Sequence, residues 1–278
     1  MQELVTQLNE LCDKQPFTTR WYLKNLKSGE EAERGGDVVV YSASTRKISI
    51  LMAVMAEVHA GRMSLSDPFT IEAKYQDNNS GCFQHLTPEF QITLFDAATM
   101  MIIVSDNAST GKIVDMLGTD RLNEYCKSIG MIRTTHRQNI PEPNLTPEDY
   151  PRVSNATSAR DVGYLLDLMV KGSRDQVLAD RLGASPELCR RALEIMSWQK
   201  LGRLIQKLPH ETRVDSKTGT GPSHLRDAGV IWQDGNPLYI LTVYCDGVAV
   251  DYPHASGRYV ATQHTANLAR TCWDALAS

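Results

Sequence analysis

VVVYSASTRKISILMAVMAEV, residues 38–58, begins like a buried strand and continues like a helix. Its first residues form a short apolar run, and from Ser44 onward the apolar residues recur every three or four positions, which is the helical spacing. Ser44 and Lys47 stand at the join. Three residues apart on a helix, their side chains fall on the same face.

The Ser44–Lys47 pair has two interpretations. A lysine amine accepts the serine proton when burial or nearby cations lower the lysine pKa, and the hydroxyl then becomes a nucleophile. The N–H groups that open the helix would donate to the developing oxyanion. The other interpretation is a solvated helix end, because the same S-x-x-K spacing also occurs at residues 109–112 and 197–200. The pair alone does not choose between them.

Outward from this stretch, the chain divides into helical and β-rich parts. Residues 1–15 have the pattern of an amphipathic helix, and residues 18–42 that of two strands around a turn. A long helical middle follows, then three alternating β segments at 212–219, 228–233 and 237–245, and a last helix at 258–276. Within the middle, TPEFQITLFDAATMMIIVS (87–105) predicts one helix that is buried on all sides.

This order predicts an α+β fold. Antiparallel strands from both chain ends form one sheet, flanked by the terminal helices, and the middle forms an all-helical lobe. We expect residues 1–43 and 200–278 to make the α/β lobe and residues 44–199 the helical lobe, joined as one structural unit. Residues 130–157 break the pattern with four prolines and no period, as functional or disordered segments do.

Composition excludes several classes of function. A net charge of −4 gives no basis for nucleic-acid or anionic-membrane binding, and no apolar run approaches the roughly 18 residues that span a bilayer. The six cysteines form no CxxC pair and the seven histidines no HxH or HExxH group, so we expect neither a metal nor another cofactor. We expect a monomer by default.

The compartment is not determined. The first residues lack the basic start and apolar core of a signal peptide, and the scattered cysteines are compatible with a reducing compartment. Either the protein is cytosolic or a signal lies outside this sequence.

Two further motifs bear on the serine–lysine pair. SDN (Ser105–Asn107) follows the apolar helix and precedes another; it is either a helix cap or part of a site. KTGTG (Lys217–Gly221) ends a β segment. It is either a strand closed by a glycine turn, or a strand edge that pairs with a ligand while Lys217 supplies positive charge. GxSxG, GxGxxG and GxxxxGK[ST] motifs are absent.

Together, STRK, SDN and KTGTG resemble the motifs of the serine penicillin-recognising enzymes, and most nearly those of the class A β-lactamase family. They occur in the same order, separated by 61 and then 112 residues, and the resemblance covers nearly the whole chain. It implies that family's two-lobe fold and a serine hydrolase that opens a β-lactam amide through an acyl-enzyme.

The resemblance also implies roles on the nucleophile side of the site. Ser44 would form the acyl-enzyme, Lys47 would relay its proton, and Ser105 would pass a proton to the leaving nitrogen. Asn107 would hold the substrate's side-chain amide, whereas Asp106 would be structural.

On the strand side, the resemblance implies that Lys217 sets the local potential and Thr218 helps to hold the substrate carboxylate. The backbone N–H groups of Ser44 and Thr220 would form the oxyanion hole. Arg226 has two interpretations, an aid to carboxylate binding or a plain surface arginine.

Release of the acyl group depends on the 130–157 stretch, where the family carries a glutamate that activates water. Glu142 falls at that position by resemblance, and Glu148 is a competing candidate. Thr146 stands where the family has an asparagine, and Asn155 where it has an aspartate that pairs with an arginine. We therefore expect slow hydrolysis.

We also make a prediction for each of two arginines that lie near these departures from the family pattern. Arg137 would lack a carboxylate partner, so the loop would close less tightly. Arg46, between Ser44 and Lys47, replaces the apolar residue common in the family, and we expect it to point away from the site.

Three hypotheses follow. The first is a β-lactam hydrolase that deacylates through Glu142 and has a small-molecule β-lactam as its substrate. The second is a peptidase, amidase or esterase on the same scaffold. The third is a sensor or binding domain that acylates without turnover, or never acylates.

Overall fold

A computed structural model describes residues 1–139 and 153–277 of the chain. The helices are α1 (Gln2–Asp13), α2 (Lys47–His59), α3 (Leu94–Ile103), α4 (Asn107–Leu117), α5 (Thr119–Ser128), α6 (Ala159–Gly172), α7 (Gln176–Arg181), α8 (Pro186–Ser197) and α9 (Gly257–Leu276). The strands are β1 (Thr18–Asn25), β2 (Glu31–Arg34), β3 (Val40–Tyr41), β4 (Pro68–Ile71), β5 (Phe90–Thr93), β6 (Ala156–Thr157), β7 (Val214–Gly221), β8 (His224–Gln233), β9 (Asn236–Asp246), β10 (Asp251–Tyr252) and β11 (Ala255–Ser256).

One five-stranded antiparallel sheet joins the two ends of the chain, which confirms the predicted fold class. Its order is β2-β1-β9-β8-β7. Strand β1 pairs with β9 along its full length, from Thr18 opposite Asp246 to Asn25 opposite Tyr239. The β8–β9 hairpin turns at Asp234 and Gly235, both of which have positive φ (51° and 76°), as tight hairpin turns require.

The sheet separates two apolar cores. Side chains alternate across a strand, so Trp21 and Leu241 face the core beneath α1 and α9, whereas Tyr22 and Ile240 face the core shared with the helical middle. Covering both faces buries most of β8 and β9. The division into two lobes at residues 43 and 200 remains a prediction.

Helix α2 is the central helix of the second core. Its residues from Lys47 to Met55 are all buried, although the helix opens with a lysine. Five side chains of α3 are buried, whereas Met100 and Ile103 are partly exposed. The prediction of one fully buried helix over residues 87–105 was therefore wrong in extent and in burial.

Residues 87–105 do not form one helix because they contain a strand and then a helix cap. Residues 90–93 pair with β4 as strand β5, and the Thr93 side chain accepts a hydrogen bond from the Asp96 backbone N–H while the Asp96 carboxylate accepts from Thr93. This capping box starts the helix at Leu94. The next long helix, α6, also begins at a side-chain cap, because Ser158 accepts from the Asp161 backbone N–H at 3.1 Å.

In the part of the chain that the structure describes, no helix combines the length and apolar character needed to cross a bilayer.

Candidate active site

Ser44 lies in a 3₁₀ turn, Ala43–Arg46, that leads directly into α2. Ser44 is partly exposed, while the residues on both sides of it are buried. Ala43 has a φ of 45°, a left-handed conformation that is uncommon outside glycine and tightens the entry to the turn. The fold therefore presents Ser44 at the surface of an otherwise buried segment.

Lys47 connects the STRK and SDN motifs. Its Nζ donates to the Ser105 carbonyl oxygen and to Asn107 Oδ1, both at 2.8 Å, and lies 3.3 Å from Ser105 Oγ. Burial lowers the Lys47 pKa well below its usual value, and the charges of Lys217 and Arg46 lower it further. The two short contacts use both N–H groups of a neutral amine, which leaves its lone pair to accept a hydroxyl proton.

The SDN corner is held in an uncommon backbone conformation. Ser105 has a φ of 60° and its carbonyl oxygen accepts from Ser80 Oγ at 2.9 Å. Asp106 is fully buried and caps α4, accepting from the backbone N–H groups of Ser109 and Phe83, each at 2.9 Å. The segment at Gly81 passes so close that a Cβ there would meet the Asp106 Cα at 2.3 Å.

The second S-x-x-K pair is separate from this arrangement. Ser109 is fully buried, and Lys112 donates to the Thr70 carbonyl oxygen at 2.6 Å and to Glu72 at 2.9 Å. Those contacts hold α4 against β4. The burial of Lys47 removes the solvated-helix interpretation for the first pair.

The KTGTG strand, β7, lies against the nucleophile turn. A Cβ at Gly219 would meet the Ser44 backbone nitrogen at 3.0 Å and the Ala43 Cβ at 2.9 Å, so only glycine fits there without displacement. Thr220 follows on this edge. The proximity is what an oxyanion hole built from the Ser44 and Thr220 N–H groups needs, and that hole remains a prediction.

Lys217 is buried beside this strand edge. Its Nζ donates to the Thr218 carbonyl oxygen at 2.7 Å. Burial lowers the Lys217 pKa to about 7; the Asp227 carboxylate opposes this shift and the Arg203 guanidinium adds to it. With this pKa, Lys217 is only partly protonated at neutral pH in the free protein. An anion bound beside it would raise its pKa and favour the charged form.

Arg226 is neither a surface arginine nor a free cation. It is 1% exposed, and its guanidinium donates to the carbonyl oxygens of Tyr41 and Cys245 and to the Asp246 carboxylate. The ring of Tyr244 lies 5.0 Å from its guanidinium carbon. Because Arg226 is committed to these interior partners, the expectation that it helps to bind a substrate carboxylate is not supported.

Arg203 is the arginine that reaches the strand edge instead. Its Nη2 donates to Thr220 Oγ1 at 2.6 Å, and its Nη1 to the Arg226 carbonyl oxygen at 2.8 Å. The Asp227 carboxylate accepts from the Arg203 backbone N–H at 2.7 Å. Arg203 could not be found from the sequence, because it lies outside the motifs and only folding brings it to β7.

The candidates for water activation, Glu142 and Glu148, lie outside the described residues, as does Thr146. Both flanks of that segment are described. Arg137 donates to the Ser154 carbonyl oxygen at 2.6 Å, and the expected absence of a carboxylate partner remains a prediction. Arg46 is buried and donates to Asn155 Oδ1 at 3.3 Å; that it points away from the site remains a prediction.

Within residues 1–139 and 153–277, no group of three or more histidine, cysteine, aspartate or glutamate side chains could hold a metal ion. The six cysteines have free thiols, five of them buried.

Comparisons with known proteins support the family and the fold. A family model described as the β-lactamase enzyme family matches residues 3–276. β-Lactamase BRO-1 of Moraxella catarrhalis is 22% identical over 245 residues, which cover 84% of this chain and 74% of that protein. A mutant of PBP-A, solved as an acyl-enzyme complex with penicillin G, is 27% identical with a TM-score of 0.81, covering 99% of this chain and 96% of that one.

An ancestral class A β-lactamase is 24% identical with a TM-score of 0.83, covering 98% of this chain and 100% of that chain. This likeness shows the fold. The architecture is therefore the one that class A β-lactamases share with penicillin-binding proteins.

Proposed function

Because the chain belongs to the β-lactamase enzyme family, we propose that it is a serine hydrolase that opens β-lactam amides through an acyl-enzyme on Ser44. The observation that carries this proposal is the buried Lys47 amine, which bridges Ser105 and Asn107 from the first turn of the nucleophile helix. An isolated helix-end lysine would remain solvated and charged, and would activate nothing.

Acylation follows from that arrangement. Ser44 Oγ attacks the β-lactam carbonyl carbon, and the hydroxyl proton passes to the neutral Lys47 amine. The negative charge that develops on the carbonyl oxygen is stabilised by the N–H groups of Ser44 and Thr220. The C–N bond then breaks, and the ring nitrogen receives a proton through Ser105, whose Oγ lies 3.3 Å from Lys47 Nζ. An ester on Ser44 results.

Three residues would bind the substrate carboxylate: Lys217 and Thr218 on strand β7, and Arg203. Lys217 and Thr218 would face the carboxylate that β-lactams carry, and Asn107 would hold the side-chain amide. Arg203, which donates to Thr220 Oγ1 at 2.6 Å, adds positive charge at the same strand edge, in the role first considered for Arg226. A carboxylate placed there gains from two buried cations.

Deacylation would use a water activated by Glu142, with Glu148 as the competing residue. The water oxygen adds to the acyl carbon, its proton goes to the carboxylate, and the Ser44 hydroxyl is regenerated as the product leaves. The departures at Thr146 and Asn155 favour slow turnover.

A second candidate function is an acylating protein with little or no turnover. The relative at 27% identity is a penicillin-binding protein, and its structure is an acyl-enzyme. Asn155, which stands where the family has an aspartate, also favours little turnover. A peptidase, amidase or esterase on this scaffold is the third possibility.

The test mixes the protein with a chromogenic cephalosporin or penicillin G and follows hydrolysis together with intact mass. We expect turnover that Ser44→Ala abolishes and that Glu142→Gln stalls as a mass adduct. Lys47→Ala should reduce the acylation rate about 10²- to 10⁴-fold. Lys112→Ala is the matched control, because Lys112 belongs to the second S-x-x-K pair and contacts Glu72.

The outcomes separate the candidates. A stable adduct in the unaltered protein would contradict hydrolysis and support a binding protein. Neither hydrolysis nor an adduct with either compound would overturn β-lactam chemistry and leave an amide or ester substrate.

A further inference from the structure

Asp227 is a carboxylate buried on β8, beside the edge of β7. It is 0% exposed and lies opposite Thr218 in the pairing of the two strands. Its Oδ2 accepts from the backbone N–H groups of Arg203 and Leu204, at 2.7 and 3.0 Å. Among the described residues, its Oδ1 has no hydrogen-bond partner. Burying a carboxylate that is only half satisfied is costly, so packing alone does not explain an aspartate here.

The segment that carries Arg203, between α8 and β7, is fixed at both ends. At its start, Gln199 Nε2 donates to the carbonyl oxygens of Ile102 and Ser216, at 3.0 and 3.2 Å. At its end, the Asp227 carboxylate accepts from two consecutive backbone N–H groups, the first of which is that of Arg203. These bonds set the point on the strand edge from which the Arg203 side chain extends.

Asp227 also acts on the charge of Arg203. The guanidinium donates to Thr220 Oγ1 at 2.6 Å and to the Arg226 carbonyl oxygen at 2.8 Å, both of which are neutral. Burial lowers the Arg203 pKa, and the Asp227 charge opposes that shift. One carboxylate therefore holds the backbone of this arginine and favours the charged form of its side chain.

Lys217 is the second cation that Asp227 supports. Burial lowers the Lys217 pKa, the Asp227 charge raises it, and the Arg203 charge lowers it. Arg226, which also lies on β8, is paired with Asp246. Without Asp227, both burial and the repulsion from Arg203 would favour a neutral Lys217.

We propose that Asp227 is a positioning residue for recognition of the substrate carboxylate: it fixes the Arg203 backbone against β7 and offsets the charges of Arg203 and Lys217. This inference rests on the proposed function, because the carboxylate in question is that of the β-lactam. A buried anion at this place would by itself repel the substrate, so its benefit comes from the two cations that it holds. The attack by Ser44 should not depend on it.

The main test compares kcat/KM for penicillin G with kcat/KM for its methyl ester, which has the same rings and no carboxylate. Where turnover is slow, the second-order rate of adduct formation replaces kcat/KM. Asp227→Ala removes both the acceptor and the charge, so the ratio of the two values should fall about 10- to 100-fold. The value for the ester should stay within about threefold.

Two further variants sharpen this comparison. Asp227→Asn keeps an oxygen that can accept from both N–H groups and loses only the charge, so the ratio should fall less, by about 3- to 10-fold. Asp167→Asn is the matched control, because Asp167 is a carboxylate on α6 that is 4% exposed and pairs with Lys24 and Lys171. An unchanged or higher ratio in Asp227→Ala would overturn the proposal, and so would equal losses for penicillin G and its ester, which would indicate a purely structural role.

Hydrogen exchange supplies a readout that does not need activity. In Asp227→Ala, peptides that cover residues 202–205 should exchange faster, whereas in Asp227→Asn they should stay protected, and peptides from α6 should not change in either variant. Unaltered exchange of residues 202–205 in Asp227→Ala would overturn the proposal. If the unaltered protein reacts with neither penicillin G nor its ester, the proposed function fails, and the exchange comparison still decides whether Asp227 fixes Arg203.

Discussion

Lys217 and Lys47 are two buried amines in one site with opposite requirements. Lys47 must be neutral to accept the Ser44 proton, whereas Lys217 must be charged to attract a substrate carboxylate. Burial lowers the pKa of both, and the Lys217 charge lowers the Lys47 pKa further. The two protons are therefore linked, and each apparent pKa belongs to the pair.

This linkage predicts the pH dependence of kcat/KM for an anionic β-lactam. Lys217, with a pKa of about 7, loses its charge as the pH rises through that value, so kcat/KM should fall on the alkaline side. The acidic limb comes from protonation of Lys47. Measurement between pH 5 and 10 with a chromogenic cephalosporin checks this. Lys217→Arg should move the alkaline limb upward, because a guanidinium stays charged; an alkaline side that is flat to pH 10 would contradict the assignment.

At the residue scale, motif spacing identified residues whose backbone position is fixed locally. Ser44, Lys47, Ser105 and Asn107 could be placed from the sequence, because helix ends and a tight corner fix where they point. The arginines could not. A long side chain goes where tertiary packing offers partners, and Arg226, expected at the site or on the surface, lies buried against Asp246.

At the scale of elements, the SDN corner depends on a single carboxylate. Asp106 both caps α4 and accepts from the buried Phe83 N–H, so Asp106→Ala removes a cap and leaves a buried donor unpaired. We expect the free energy of unfolding to fall by about 2–4 kcal/mol. Urea unfolding followed by circular dichroism measures the loss.

Asp175→Ala is the comparison for that experiment. Asp175 caps the short helix α7 by accepting from the Leu178 N–H at 3.1 Å, and it is exposed. Its loss should cost about 1 kcal/mol or less. If the two substitutions cost the same, Asp106 is an ordinary cap and the corner is held by other contacts.

Element order was predictable because the strong patterns are local. The alternation in β7 to β9 and the apolar spacing in α2 follow from the sequence, and so does the joining of strands from both chain ends. Strand β5 was assigned to a helix because its four residues gain their conformation from pairing with β4, a contact that lies far away along the chain. The short pair β3–β6 was missed for the same reason.

At the scale of the whole molecule, the two chain ends form a core of their own beneath the sheet. His264 of α9 lies in it, 2% exposed, with Nε2 3.0 Å from Thr19 Oγ1 and the Phe17 ring packed edge-on at 5.7 Å. Among the described residues, its Nδ1 has no hydrogen-bond partner. Burial lowers the His264 pKa to about 4, and the Arg34 charge lowers it further.

The sign of the effect on stability follows from proton binding. A histidine in the unfolded chain titrates near pH 6.5. Between about pH 4 and 6.5, His264 therefore binds a proton in the unfolded chain but not in the folded one. Through His264, the free energy of unfolding should therefore decrease as the pH falls below 6.5, by about 2 kcal/mol at pH 5 and about 3 kcal/mol at pH 4. His136, whose pKa is also lowered, acts in the same direction.

Comparison of urea unfolding at pH 7 and pH 5 isolates the contribution of His264. His264→Gln removes the titrating group, so the loss of stability between the two pH values should be smaller than in the unaltered protein by about 2 kcal/mol, whatever the substitution costs at pH 7. His210→Gln is the control, because the His210 side chain is 98% exposed. An unchanged pH dependence in His264→Gln would show that the core formed by the chain ends accommodates a charged histidine, and acid sensitivity would then come from other groups, such as His136, whose pKa burial also lowers.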